Sequence, residues 1–270
     1  MKHINQYQWI LILGICVLIG LVSPPAWSQS PSAENQAAVQ PSEPKTDPSS
    51  ADFFEDDFFE EGPAGKAVAP VADPFFYFNY AMYVVNDNLY YYVLKPVATG
   101  YKTVMPTPAR KGIRNFFHNL MFPIRFVNNL LQWKLEQASD EFGIFLVNST
   151  AGILGFNQVA QKYLDMHTQK EDLGQTLGTY GIKEGFYLVL PVLGPSTLRD
   201  AIGMAGDYFV LDPIDYVSPW ELELGLDVLD IINRTSFRIG DYESMKKAAL
   251  DPYAAIRDVY IQNRRMQVSQ

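Results

Sequence analysis

This 270-residue chain has one cysteine, three histidines and no long hydrophobic run. Each shortage removes a class of chemistry. The cysteine, Cys16, lies inside the apolar stretch 10–22, whose 13 residues fall short of the ~20 needed to cross a bilayer. Pro24 and Pro25 end that stretch, and Ala26-Trp27-Ser28 follows with small residues where a signal peptidase reads. Residues 1–28 therefore read as an export signal cleaved before Gln29. The mature chain would then have no cysteine, hence no disulfide and no thiol nucleophile. Two alternatives stand beside this reading. One is an uncleaved anchor. The other is lipidation at Cys16, a signal that wants a small residue where this chain has the large, branched Ile15.

Histidine is equally sparse. His3 leaves with the signal, and His167 lies in the polar stretch "DMHTQKED". His118, in "NFFHNL", reads as a helix-surface or satisfied interior residue. No H-E-x-x-H, cysteine cluster or paired-histidine spacing points to a metal. No G-x-x-x-x-G-K-[ST] loop points to ATP, and no G-x-S-x-G elbow points to a serine hydrolase. Basic charge is short too. The net charge is -9, with 2 basic and 9 acidic residues in 29–70 and 18 basic and 21 acidic from 71 onward. A nearly neutral domain offers phosphates no basic face, which argues against nucleic acid as a partner.

Aromatic, apolar and punctuating residues are plentiful. Residues 29–72 are rich in Pro, Ser, Ala and Gln, a composition that cannot offset its ordering entropy, and they read as a disordered tether. Within it, "DFFEDDFFEE" sets two Phe pairs among six carboxylates. It reads either as a docking motif for a partner with a basic rim or as acidic gatekeeping of a sticky linker. Residues 73–270 read as one mostly α-helical domain. Asp73-Pro74 and Thr107-Pro108 look like helix starts, and helical pieces follow near 124–133, 140–154, 196–209, 220–232 and 251–265. Strand alternation is scarce. The apolar stretches near 142–156 and 186–193 suit amphipathic helices lying in or on one membrane leaflet, or an ordinary apolar core.

The segment "GFYLVLPVLGPSTLRD", residues 185–200, poses the sharpest question. Ser196 is either a nucleophile or a helix cap accepting a backbone N–H. The cap reading is preferred, with Asp200 near the positive helix end and Arg199 able to reach carbonyls or an anionic head group.

Several motifs resemble one family in order. "GQTLGTYGIKEGFYLVLPVLGPSTLRD", with Pro191, Pro195, Ser196, Arg199 and Asp200, resembles the signature of the MlaA (VacJ-like) family. "DPFFYFNYAMYVVND" resembles its opening box through Asp73, Pro74, Phe75, Phe78 and Asn79. "FVNNLLQ" and "FLVNSTAGILGF" resemble its central motifs, and "DPYAAIRDVYIQNRR" its closing one through Asp251, Pro252, Tyr253, Arg257, Asp258, Tyr260 and Arg264. The chain departs from the family pattern at Ile15, Ile144 and Gln158.

The resemblance implies a non-enzymatic protein of the outer membrane, facing the periplasm and embedded in the inner leaflet. Its helices would form a compact ring around an amphipathic channel. It would remove stray outer-leaflet phospholipids and pass them to the periplasmic carrier MlaC, beside a trimeric porin and without a cofactor. A porin-associated scaffold and a serine-type phospholipid hydrolase are the alternatives. Under this resemblance Asn128, Asn129, Asn148, Ser149 and Thr150 become lipid-path candidates, since uncharged amides and hydroxyls would pass a head group without trapping it. The other reading bonds them to nearby backbone. Gly152, Gly155, Gly181, Gly185 and Gly194 become gate or hinge candidates. Phe116, Phe117, Phe122, Phe126 and the Tyr90-Tyr91-Tyr92 run could meet acyl chains.

Overall fold

The computed structural model describes residues 71–270, which form eleven α-helices, one π-helical turn, one 3-10 turn and a two-stranded hairpin. The mostly helical expectation holds. The export signal, Cys16, most of the tether and its Phe pairs lie outside the described residues. No helix among the described residues is long and apolar enough to cross a membrane.

Helix α1 (Phe76–Leu89) runs without interruption into a π-helical turn (Tyr90–Leu94) and α2 (Lys95–Val104). Pro96 falls inside this continuous run but directly after the π-helical turn, where the bonding pattern is already shifted, Lys95 N–H pairing with Tyr90 O, and the run ends where Met105 turns extended before Pro106. Next come α3 (Thr107–Leu120), α4 (Phe122–Leu131) and α5 (Leu135–Thr150). The shorter α6 (Val159–Leu164) and α7 (Leu173–Thr179) follow. Strands β1 (Tyr187–Leu190) and β2 (Gly194–Thr197) pair antiparallel, with Tyr187 opposite Thr197. The chain closes with α8 (Leu198–Leu211), a 3-10 turn (Ile214–Tyr216), α9 (Trp220–Thr235), α10 (Asp241–Ala248) and α11 (Pro252–Ser269).

The hairpin is the element that the sequence pattern did not disclose, because two four-residue strands are too short to show alternation. What stabilises it lies on α1. Asn79 donates to the Tyr187 carbonyl (2.9 Å) and accepts the Val189 N–H (2.9 Å). Asn86, two helical turns later on the same face, donates to Leu190 O (2.9 Å) and accepts from Val192 N (2.8 Å). A side-chain amide carries the same donor and acceptor as a peptide unit, so the two asparagines pair with the outer edge of β1 as a third strand would. Ala72 extends this edge by accepting from Tyr187 N (3.0 Å).

The apolar core is modest: Tyr187, Val189, Tyr253, Tyr260 and Ile261, with Val71, Met82 and Tyr83 against them. Much of the remaining interior is polar and bonded. Arg264 on α11 forks onto Asp172 (2.7 and 2.9 Å) and reaches Asp200 (3.0 Å). Arg199 donates twice to the same Asp200 oxygen (2.9 and 2.8 Å), and Thr197 and Tyr260 donate to the other (2.8 and 2.9 Å). Burial alone would raise the Asp172 and Asp200 carboxyls, but Arg264 outweighs it and both fall below the ordinary range. This cluster joins the sequence segment 172–200 to the closing segment, far away along the chain. Close contact completes the joint: a Cβ on Gly203 of α8 would lie 2.3 Å from the Gly174 nitrogen of α7.

Two expectations need correction. Thr197, not Ser196, caps α8, accepting from Asp200 N; Ser196 belongs to β2 and its hydroxyl donates to Thr197 O (3.2 Å). Asp73 does not cap α1, whose first helical residue is Phe76. Its carboxylate instead accepts from Asn79 (2.7 Å) and Tyr253 (2.5 Å), joining the first motif to the last. Asp251 caps α11, accepting from Ala254 N (3.1 Å), a role its sequence motif did not assign.

Candidate functional site

A cavity of about 400 Å³ lies between α1, the π-helical turn, the hairpin, the C-terminal half of α9, α10 and Ile256 of α11. Its wall includes Tyr83, Tyr90, Val189, Ile231, Tyr242 and Met245. The π-helical turn places Tyr90 there, and such turns concentrate at functional positions.

Polar groups in this wall are bonded into the protein. Asn86 serves the hairpin as described. Thr235 Oγ1 donates back to Ile231 O (2.7 Å), as hydroxyls in helices do. Tyr90 OH donates to Glu243 (2.9 Å) and Tyr242 OH to Asp87 (2.8 Å). Arg234 pairs with Asp230 (2.7 Å). Burial first, then the adjacent carboxylates of Glu243 and Asp87, push the Tyr90 and Tyr242 phenols up, so both stay neutral at physiological pH. Burial opposes ionisation of Glu243 as well, but Lys95 (2.5 Å), its backbone neighbour and Tyr90 hold it low. Asp87, Lys95 and Glu243 are not part of the wall, which is largely apolar apart from Arg234 and Arg238.

Large apolar side chains also stand exposed at loop tips and on helix faces: Trp133 and Leu135, Ile153 and Leu154, Val192 and Leu193, Ile202, Phe209 and Val210 on α8, and Leu222, Leu224 and Val228 on α9. Exposure on this scale marks surfaces that meet a partner or a membrane. Ile153 and Leu154 hold φ of +57° and +56°, costly for any side chain and most for a β-branched one. Gly155 behind them takes φ +90°, where a Cβ would also strike Asn119 at 2.4 Å. A strained, greasy loop held this firmly is a functional candidate.

The five polar candidates are placed away from the cavity wall. Asn128 is fully buried, accepting from Thr176 (2.8 Å) and donating to Asp207 (2.9 Å). Burial raises Asp207 to about 6, despite the bonds it accepts from Leu173 N and Asn128. Asn129, also buried, donates to Arg125 O (2.9 Å). Asn148 fastens α6 to α5, accepting from Ala160 N (2.9 Å) and donating to Gln161 (2.9 Å). Ser149 accepts from Asn119 (2.9 Å), and exposed Thr150 donates to Leu146 O (2.7 Å). Of the glycine candidates, Gly194 reaches the cavity wall, with Pro195 beside it. Gly152 is fixed by close approach, since a Cβ there would lie 2.2 Å from Asn157 O. Gly181 follows α7, and Gly185 precedes β1 against Leu198.

The sequence reading missed Tyr83, Asn86, Tyr242 and Met245 as one group. Only the helical spacing of Asn79 and Asn86, seven apart, hinted at a shared face. Among the described residues, no three His, Cys, Asp or Glu side chains gather in a way that could hold a metal ion. Ser196, the nucleophile candidate, is fully buried in β2 beside Thr197.

Fold and site together define a helical protein with broad apolar exposure, a largely apolar cavity and no spanning helix among its described residues. Residues 71–267 match the family described as MlaA lipoprotein, and the chain belongs to that family. It is 35% identical over 194 residues to the Escherichia coli protein named intermembrane phospholipid transport system lipoprotein MlaA, covering 71% of this chain and 76% of that one. The Haemophilus influenzae protein of the same name is 30% identical over 197 residues, covering 71% and 77%. An uncharacterised Rickettsia conorii protein is 32% identical over 187 residues, covering 69% and 74%. A solved structure reported under "Structural basis for maintenance of bacterial outer membrane lipid asymmetry" superposes with a TM-score of 0.64 at 31% identity, covering 73% of this chain and 99% of the other.

Proposed function

We propose that this protein is a passive phospholipid conduit of the bacterial outer membrane. It takes phospholipids that have strayed into the outer leaflet and delivers them to a periplasmic carrier such as MlaC, working beside a trimeric porin. The observation that carries this reading is the apolar cavity among helices whose outward faces are themselves apolar. The relatives' names supply the cargo class.

The physical need is plain. A phospholipid has on the order of 30 methylenes, each costing ~0.8 kcal/mol to expose, so free passage of the tails through water costs more than ~20 kcal/mol. Dragging the head through hydrocarbon is also prohibitive. A protein that keeps tails on apolar surface while the head stays wet removes both barriers without making or breaking a bond. Strained apolar tips such as Ile153-Leu154 would seat the protein in the leaflet.

The test is transfer of fluorescent phospholipid from donor liposomes holding the full-length protein to a purified carrier. Transfer without lyso-lipid or free fatty acid supports the conduit. Release of either product would favour a hydrolase, and no transfer above empty liposomes would overturn the proposal.

A further inference from the structure

We infer that the 400 Å³ cavity is a binding site for one acyl chain, with α10 as its movable cover. The inference deepens the conduit reading and rests on it for the choice of lipid as ligand. Four observations lead there. The volume sits at the small end of ligand sites, ~300–1,000 Å³, which suits one chain and not a two-tailed lipid. Asn86, Thr235, Tyr90 and Tyr242 direct their hydrogen bonds into the protein, so the wall recognises a ligand by apolar contact. Met245 and the tyrosine rings supply surface that adapts to a flexible chain. Arg234, paired with Asp230 (2.7 Å), and Arg238, just past the end of α9, set guanidinium groups in an otherwise apolar wall, a match for the carboxylate or phosphate that ends an acyl ligand.

The cover follows from how α10 is held. None of its residues is fully buried, and its apolar contacts are those of Tyr242 against Tyr90 (ring centroids 4.8 Å) and of Met245 in the cavity wall. It is fastened to α1 and α2 by side-chain contacts: Tyr242 and Lys246 (2.6 Å) on Asp87, Tyr90 and Lys95 on Glu243, and Lys246 over the Tyr91 ring at 5.0 Å. Gly240, at φ +107°, joins it to the preceding turn, and fully exposed Leu250 follows it. Such ties open at low cost, because partly exposed ion pairs contribute little each. Lifting α10 would carry Tyr242 and Met245 out of the wall and open the cavity without disturbing the α7–α8–α11 charge cluster.

The test is photolabelling of the full-length protein in liposomes. The probes are a fatty acid with a terminal diazirine and a diacyl phosphatidylethanolamine carrying that group on one chain. Labelled peptides should contain Tyr83–Tyr90, 231–238 or Met245. Thr235→Trp, which fills the cavity from α9, should cut that labelling about tenfold, while Thr235→Val, equal in size, should preserve it. Melting curves confirm that both variants fold. Labelling by the free acid alone identifies a fatty-acid site, and labelling by the phospholipid, alone or with the acid, identifies a lipid-tail site. No labelling of these peptides, or labelling unchanged by Thr235→Trp, overturns the site. Asp87→Ala, which removes the acceptor of both Tyr242 and Lys246, should speed early labelling roughly threefold; an unchanged rate overturns the cover. Lipid transfer measured on the same liposomes separates the two proposals. Transfer without cavity labelling defeats the acyl site and leaves the conduit standing, and cavity labelling without transfer does the reverse.

Discussion

Replacing Asn79 with leucine keeps the branching and heavy-atom count of a fully buried side chain while deleting its amide. Two backbone groups of β1 then lose their partner, the Tyr187 carbonyl and the Val189 N–H, and Asp73 loses one of its two donors. Each buried backbone group left unsatisfied costs about 1–3 kcal/mol, roughly 2–6 kcal/mol for the pair. The new isobutyl group returns at most ~2 kcal/mol of burial, because the pocket is polar. Taken from the ~4 kcal/mol midpoint of that loss, the expected net loss is about 2–4 kcal/mol, against a total stability of ~5–15 kcal/mol for a domain. In a domain of this size that lowers Tm by roughly 5–15 °C. The assay is thermal unfolding of wild type and variant in the same detergent, with hydrogen exchange at Val189 as the local readout. Asn86→Leu serves as the internal comparison. Its Val192 partner sits at an exposed turn where water can substitute, so that variant should lose less. An Asn79→Leu melting shift within about 1 °C, or a larger loss from Asn86→Leu, would refute the claim that the helix amide stands in for a strand.

Arg264→Met should cost about 3 kcal/mol, because buried Asp200 and part-exposed Asp172 lose their shared cation while Arg199 still serves Asp200; a urea titration checks it. Asp227, raised to about 6 by burial and then by Asp212, Glu223 and Asp230, is a liability to the fold while ionised. Asp227→Asn should therefore be the more stable protein at pH 8. Its advantage should shrink as pH falls through about 6 and vanish below ~4, where the unfolded carboxyl protonates too; paired melting curves across that range read it. Asn148→Leu should release α6 from α5 and slow lipid transfer while the far-ultraviolet circular dichroism stays helical; transfer at the normal rate would remove Asn148 from the lipid path. Deleting residues 52–61 should abolish co-purification of a porin if the Phe pairs are its hook, and leave it intact if they only keep the tether soluble.

Helical content and the closing helix near 251–265 were legible because they depend on local signals, periodicity and proline placement. The lack of a spanning helix among the described residues was legible for the same reason, since every apolar run is short or interrupted. Family membership too was readable from ordered motifs. Tertiary structure alone decided what those motif residues do. Asp73 carries a helix-start signature, yet it joins Asn79 to Tyr253, a residue 180 positions away. Asn128 and Asn148 look like polar spots on greasy helices, yet they fasten Asp207 and α6. The cavity was invisible because its wall draws on six elements, none distinctive by itself. A linear chain encodes the preferences of neighbouring residues, but which distant donor meets which acceptor is fixed only when helices dock.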